Sequence, residues 1–414
     1  MKKIYLPTLI FLLFNTTFAE VGWQIQNTGV TNTLYGVDFI NANTGIAVGV
    51  QGKIIRTNNG GISWITTSPA PTGFYFSAVQ MITSSIIFTV GSIGGSGLGT
   101  IYKSTDGGFS WGDFSIYGCN QNLRGVSFLD VNNGFVCGVL GSVWRTTNGG
   151  VSWTNQPGVT YTMNVIQMLD INNIICCGDG GNIYKTTNGG INWYPRISNA
   201  NGVNLNGMSF MDANRGIVVG NLGTVLVTTN GGETWTRTLY QGSGIFRAVS
   251  FVSMLRATFV ADGGYIYSSA DGGNNWLLQQ SNIYLSLLAV KFLDNNIGKV
   301  VGEQGTCLIT NTGGWNTGIK NINSNIPDKY SLNQNYPNPF NPGTKIQFNI
   351  KEKGISRIDI YNTSGKLMET LFNTELQPGS YESIWDASNY SSGVYYYRLI
   401  SKNYSETRKM ILVK

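Results

Sequence analysis

Short apolar stretches of four to six residues recur along most of this 414-residue chain, each rich in β-branched or aromatic side chains and bounded by Gly, Asn or Asp. One segment shows the pattern in full: Leu205-Asn-Gly-Met-Ser-Phe210, a turn at Asp212-Ala-Asn-Arg215, Gly216-Ile-Val-Val-Gly220, Thr224-Val-Leu-Val-Thr228, then Asn230-Gly-Gly232 and Trp235-Thr-Arg-Thr238. Runs of this composition between turn-forming residues predict four short strands joined by tight turns. No stretch of this region carries a 3.6-residue apolar period, so helices are not expected.

The four-strand unit repeats. A Gly-Gly pair followed by tryptophan ends it at Trp64, Trp111, Trp153, Trp193, Trp235, Trp276 and, in a shortened form, Trp315, at spacings of 39 to 47 residues. A unit of this size cannot bury its own apolar face and must stack on its neighbours. Seven four-stranded antiparallel units predict a seven-bladed β-propeller. The seventh motif, Asn311-Thr-Gly-Gly-Trp315, lacks two residues, while Gly22-Trp23-Gln-Ile-Gln26 reads as an outer strand with no blade before it. The N-terminal strand is therefore expected to complete blade seven and remove the exposed sheet edges.

The turn motif has the general form Ser/Thr-x-Asp/Asn-x-Gly-x-Ser/Thr-Trp, as in Ser104-Thr-Asp106-Gly-Gly108-Phe-Ser110-Trp111. It resembles the Asp-box, or bacterial neuraminidase, repeat. The preceding Gly52-Lys-Ile-Ile-Arg56-Thr57 and Gly181-Asn-Ile-Tyr-Lys185-Thr186 make it most similar to propellers of the photosystem II assembly and stability factor family. The resemblance covers roughly residues 22–315 and implies the fold and a general partner-binding role; the photosystem itself is not carried over, because the C-terminus described below sends the chain elsewhere. The box is read as a turn former: the Asx side chain bonds its own turn, the glycines take positive φ and the Trp packs between blades. Asn replaces Asp at positions 59, 148, 188 and 230, which argues against calcium or catalysis at Asp106 and Asp271. The recurring Asp130, Asp170, Asp212 and Asp294, with Asn41 in blade one, read the same way.

Met1-Lys-Lys, an apolar run over 4–14 and a small Ala19 suit a secretory signal peptide over 1–19, too short to span a bilayer. The propeller is expected over 20–315 and a polar linker over 316–329. From Tyr330 the composition changes to a proline-punctuated lead-in and about seven alternating strands, the size of an immunoglobulin-like β-sandwich. Tyr336-Pro-Asn-Pro-Phe-Asn-Pro342, Ile360-Tyr-Asn-Thr-Ser-Gly365, Trp385-Asp386, Ser392-Gly-Val-Tyr395 and Lys409-Met-Ile-Leu-Val-Lys414 resemble the type A C-terminal sorting domain of type IX secretion cargo. That resemblance, over 330–414, implies the type IX machinery as a partner and a secreted or outer-membrane-surface location in a Bacteroidetes-like bacterium. No later segment is long and apolar enough to anchor the chain.

The net charge of +6 sits outside the propeller, where thirteen basic residues face thirteen acidic ones between Glu20 and Trp315. No basic stripe for nucleic acid is present. Histidine is absent, which excludes Ser-His-Asp and Cys-His catalysis and His-ligated metal. No metal or other cofactor is expected. Five cysteines leave at least one unpaired; Cys137, Cys177 and Cys307 fall in apolar strand columns, and Cys119, on a connection, is expected at solvent. A bridge between Cys137 and Cys177 would need to cross about 10 Å between packed sheets, beyond disulfide reach.

Ligand contacts are expected on the face opposite the boxes, from the starts of the innermost strands and the turns between second and third strands. Those positions supply Tyr35, Arg124, Asn164, Asn206 and Arg247, with Asp179, Asp262 and Glu303 from the turns; blade two carries the Gly91-Ser-Ile-Gly-Gly-Ser-Gly-Leu-Gly99 insertion. The expectation is a secreted binding or adhesion module for a glycan or protein, with no catalysis. The alternative is a sialidase-like or xyloglucanase-like glycoside hydrolase using Asp179, Asp262 and Glu303. A sialidase-like site implies an arginine triad and an Arg-Ile-Pro motif; the sequence has no Arg-Ile-Pro.

Overall fold

The computed structural model describes residues 22–68, 73–94, 96–238, 244–254, 256–269, 271–314, 319–323, 325–387 and 390–413. The leader expected over 1–19 and the box residue Trp315 lie outside the described residues.

Seven four-stranded antiparallel sheets follow one another, each in simple up-and-down order. Their innermost strands are Leu34–Phe39, Phe74–Met81, Leu123–Phe128, Met163–Met168, Leu205–Phe210, Phe246–Phe251 and Leu287–Phe292. The second strands read Gly-Ile-Ala-Val-Gly, Gly-Phe-Val-Cys-Gly, Gly-Ile-Val-Val-Gly and similar, and are buried throughout, because each lies in the middle of a blade with another blade on either face. Seven apolar clusters fill the wedges between adjacent blades; Ile175 and Cys177 of blade four, for example, pack with Met208, Phe210 and Trp235 of blade five.

As expected from the sequence, Gln24–Gln26 pairs antiparallel with Cys307–Thr310, so the outer strand of the seventh blade comes from the start of the chain. Trp23 goes further. In blades one, three and five the box tryptophan stands edge-on to the last phenylalanine of the innermost strand, with centroids 5.9 to 6.1 Å apart in the pairs Phe39–Trp64, Phe128–Trp153 and Phe210–Trp235. In blade seven the same contact is Phe292–Trp23, at 5.8 Å and 89°. The seventh box is thus divided between the two ends of the propeller: its turn lies at Gly313 and Gly314, and the core tryptophan beside it is Trp23, whose Nε1 donates to Gln279 Oε1 at 2.8 Å.

Beyond the propeller, two further four-stranded sheets enclose one core containing Phe348, Phe372, Trp385 and Tyr397. One sheet orders Ile319–Asn323, Gly379–Asp386, Gly343–Ile350 and Ser331–Leu332; the other orders Leu367–Leu376, Gly354–Asn362, Gly393–Ser401 and Tyr404–Leu412. The stretch read as a polar linker over 316–329 therefore contains a strand. Ile319 packs on the sandwich core while the strand pairs with Gly379–Asp386, so a single apolar anchor and main-chain bonding outweigh a polar composition.

Trp23→Ala should destabilise the propeller by about 3–5 kcal/mol, because it empties a fully enclosed site at the ring seam. Trp276→Ala, at a half-buried box, should cost less. Equilibrium urea unfolding of both variants checks this order.

Candidate functional site

Every innermost strand breaks register near its start, and the residue left out of the ladder is Tyr35, Ser77, Arg124, Asn164, Asn206, Arg247 or Leu288. A β-bulge frees one residue from pairing and re-aims its side chain. The column singled out by sequence is thus a ring of seven bulges at the mouth of the channel.

In blades four to six the freed side chain reaches the turn between second and third strands of its own blade. Asn164 Nδ2 donates to Asp179 Oδ1 at 3.0 Å and Asn206 Nδ2 to Asn221 Oδ1 at 2.8 Å. Arg247 grips Asp262 with two parallel bonds of 2.7 Å each. Asn164 and Asn206 also donate to the next blade, at Leu205 O and Phe246 O. Arg124 joins from blade three, with Nη1 bonded to Asn164 Oδ1 and 4.0 Å from Asp179 Oδ2. Two sequence-selected residues stand apart. Glu303 accepts the Ser286 backbone N–H at 3.0 Å, and Tyr35, 42% exposed, has no polar partner among the described residues. The face therefore divides into a cross-bonded polar arc over blades three to six and an unbonded arc at Leu288, Tyr35 and blade two.

A second ring, not anticipated from sequence, occupies the penultimate position of the innermost strands. Asp38, Gln80, Ser127, Gln167, Ser209 and Ser250 each accept the backbone N–H of the last innermost residue of the next blade, at 2.6 to 3.1 Å. The seventh member is Lys291, which cannot accept; it donates instead to Asp38 Oδ1 at 2.8 Å and closes the circle with an ion pair. Asp38, Gln80, Gln167, Ser209, Ser250 and Lys291 line a channel cavity of about 360 Å³. The signal was an aligned polar column beside the last innermost residue of each repeat.

On the opposite face the boxes behave as turns. Asp106 Oδ1 accepts Ser110 N at 2.9 Å, and Asn59, Asn148 and Asn230 make the same bond to Ser63, Ser152 and Thr234. Gly60 and Gly61 take φ of 75° and 95°, the left-handed region the tight turn requires. Asp130 and Asn41 likewise each cap two backbone N–H groups of their own turns. Among the described residues no group of three or more His, Cys, Asp or Glu is placed to hold a metal ion.

All five cysteines are free and buried. Cys119 departs from expectation: its connection folds back over blade two, with Cys119 O accepting Gly99 N, and the thiol packs with Phe88, Leu123 and Val136. Burial pushes the Cys177 and Cys307 thiols up to about 12, so neither is a nucleophile at neutral pH.

Fold and boxes together define an Asp-box β-propeller followed by a β-sandwich. Residues 88–208 and 175–284 match the model of the photosynthesis system II assembly factor YCF48, and residues 334–414 match the secretion system C-terminal sorting domain. The chain is thus similar to the YCF48 family over 88–284, within its propeller, and to secretion-system C-terminal sorting domains over 334–414. Among solved structures, YCF48 bound to a D1 peptide is 19% identical, with 70% of this chain and 97% of that chain covered at a TM-score of 0.60. YCF48 from Cyanidioschyzon merolae is 20% identical over 70% of this chain and 98% of that one, at 0.57. The GH74 xyloglucanase from Xanthomonas campestris is 13% identical, with 82% of this chain but 57% of that chain covered, at 0.55. At these identities the likeness is one of fold. A search of curated proteins found no match.

Hydrogen bonds from Ser110 hold the Asp106 carboxyl well below the usual range; bonds from Asn133 and Lys185 lower Asp130 and Glu233. Depressed carboxyl values stabilise the folded state above an unfolded pKa of about 4, and that contribution is lost as pH falls through the folded values. The thermal midpoint should therefore drop progressively below about pH 4. Asp106→Asn should leave the neutral-pH midpoint nearly unchanged, since Asn fills this slot in other blades, and should reduce the acid sensitivity.

Proposed function

We propose that this chain is an exported, non-catalytic binding module whose propeller engages a glycan or protein outside the cell through the face opposite the boxes, its top face. The sorting domain marks the chain for type IX export. Retention at the outer-membrane surface, or release, follows processing of that domain.

The observation that carries the non-catalytic reading is the state of the three candidate carboxylates. Asp262 is held by both arms of Arg247, Asp179 accepts from Asn164 beside Arg124, and Glu303 accepts a backbone N–H. Glycoside hydrolysis needs one carboxyl group free to donate a proton and another facing the sugar or a water. Here each carboxylate has an architectural partner within its own blade or its neighbour. The same pairs neutralise both arginines, so the polar arc is preorganised and presents hydrogen-bonding edges more than free charge. A binding role fits a rigid face of this kind, since little conformational freedom remains to be lost on association.

The full chain lacking its leader should be retained saturably on at least one member of a panel of immobilised polysaccharides and envelope proteins, without soluble sugar in the eluate. Retention should fall in a Tyr35→Ala, Arg124→Ala double variant and persist in Phe109→Ser, whose change lies on the box face. Release of sugar from any matrix would overturn the reading. In cells, truncation after residue 333 should leave the propeller in the periplasm, detected by fractionation and immunoblotting.

A further inference from the structure

Blade two breaks the repeat. Its first three strands, Phe74–Met81, Ile87–Ile93 and Gly99–Ser104, have eight, seven and six residues, against six, five and five in blade five. The extra length raises a hairpin above the top face, and beside it lies a groove of about 620 Å³ lined by Gly73, Tyr75, Ser92, Gly94, Gly97 and Asn122. That volume falls within the range of small-ligand sites, about 300–1,000 Å³.

The groove contains a mounted aromatic ring. Tyr75 lies against the backbone of Gly94, where an added Cβ would sit 2.5 Å from Tyr75 Cε2, yet the residue remains 43% exposed. Its backbone is fixed on both sides: Tyr75 bridges to Val50, Phe74 O accepts Gly52 N, and Gly73 O accepts Gly94 N. A rigid tyrosine offers contact area at little entropic cost. Among the described residues the Tyr75 hydroxyl, the Ser92 hydroxyl and the Asn122 side-chain amide have no hydrogen-bond partner, so donors and acceptors stand around the ring. None of the described lining residues is charged. Ile87–Ile93 is paired on both sides, and the free side of Phe74–Met81 is engaged near the groove by the Val50–Tyr75 bridge and by Gly52 N donating to Phe74 O, which disfavours addition of an extended peptide there.

We propose that this groove is a saccharide subsite, in which Tyr75 stacks on the C–H face of a neutral pyranose ring while Asn122 and Ser92 bond its hydroxyls. The proposal rests on the binding-module reading and names the ligand class for one part of the same face. A flat ring with an apolar face and hydroxyls at its rim matches an uncharged groove with one aromatic platform and flanking polar groups. Gly94 serves that platform: a side chain at this position would meet the Tyr75 ring.

The test is calorimetric titration of the full chain lacking its leader with cellohexaose and mannohexaose, with heparin as the anionic comparator and unfolded casein as the polypeptide comparator. At least one neutral hexasaccharide should bind. Tyr75→Ala should weaken it by about tenfold or more, the loss expected on truncating an aromatic anchor. Tyr75→Phe should stay within about threefold, since the stacking face is kept. Gly94→Val, which displaces the ring without removing it, should reproduce the loss with an unchanged circular dichroism spectrum. Binding of neither sugar, binding of heparin alone, or equal affinity in Tyr75→Ala would overturn the subsite. A response only to unfolded casein would replace it with a peptide groove. Sugar binding lost in Arg247→Ala but not Tyr75→Ala would overturn the subsite and leave the binding module standing, whereas reducing-end release would sink both.

Discussion

A ring of blades leaves no blade face uncovered only if its first and last members meet, and here that closure is made at three radii by residues far apart in sequence. At the outside, Gln24–Gln26 adds to Cys307–Thr310. On the box face, Lys299 Nζ donates to Gly60 O at 2.6 Å, joining blade seven to blade one. At the channel, Lys291 meets Asp38. Main-chain pairing gives direction and register, while the two lysines supply charge-assisted bonds between blades seven and one, which residues 27–33 also join covalently. Trp23 adds apolar burial next to the seam, between blades six and seven.

The same circumferential logic recurs between other blades. Arg56, Lys103 and Arg145 each donate to the carbonyl of a box glycine in the following blade, at Gly107, Gly149 and Gly189. Box carbonyls turned toward the neighbouring blade would be left unsatisfied without such donors, and an unpaired buried acceptor costs about 1–3 kcal/mol. Much of the polar and charged content of the propeller is thus engaged in inter-blade contacts. This changes how the bulge ring reads: Arg124, Asn164, Asn206 and Arg247 resemble ligand contacts by position, yet each also ties the face together.

Blade number, strand order and the N-terminal completion of blade seven were legible in the sequence because they follow from periodicity and from what is missing at each end. The bulge column was legible too, since aligned repeats place Tyr35 through Leu288 in register. Partners were not. Whether Arg247 faces solvent or Asp262, or whether Ser209 caps Phe251, depends on side-chain directions set by bulges and blade twist, and those leave no periodic trace. The burial of Cys119 escaped for a related reason: a connection with polar residues on both sides of the cysteine folds against a blade extension that only blade two possesses. The strand Ile319–Asn323 was hidden by composition, because one isoleucine anchors it and main-chain bonds do the rest.

In a repeat fold, a feature present in every copy has its explanation in the repeat. Boxes, bulges, the polar channel column and the inter-blade cations recur because stacking demands them, and their loss would be felt as instability. Function is better sought where the symmetry fails. On the top face it fails over one arc: Leu288, Tyr35 and Ser77 lack the cross-bonds of blades three to six, and blade two rises into a hairpin with an exposed tyrosine set on glycine. Stacking with neighbouring blades does not require that hairpin, since the other blades pack without one. A rigid, uncharged groove on an otherwise self-satisfied face is where binding would cost the fold least.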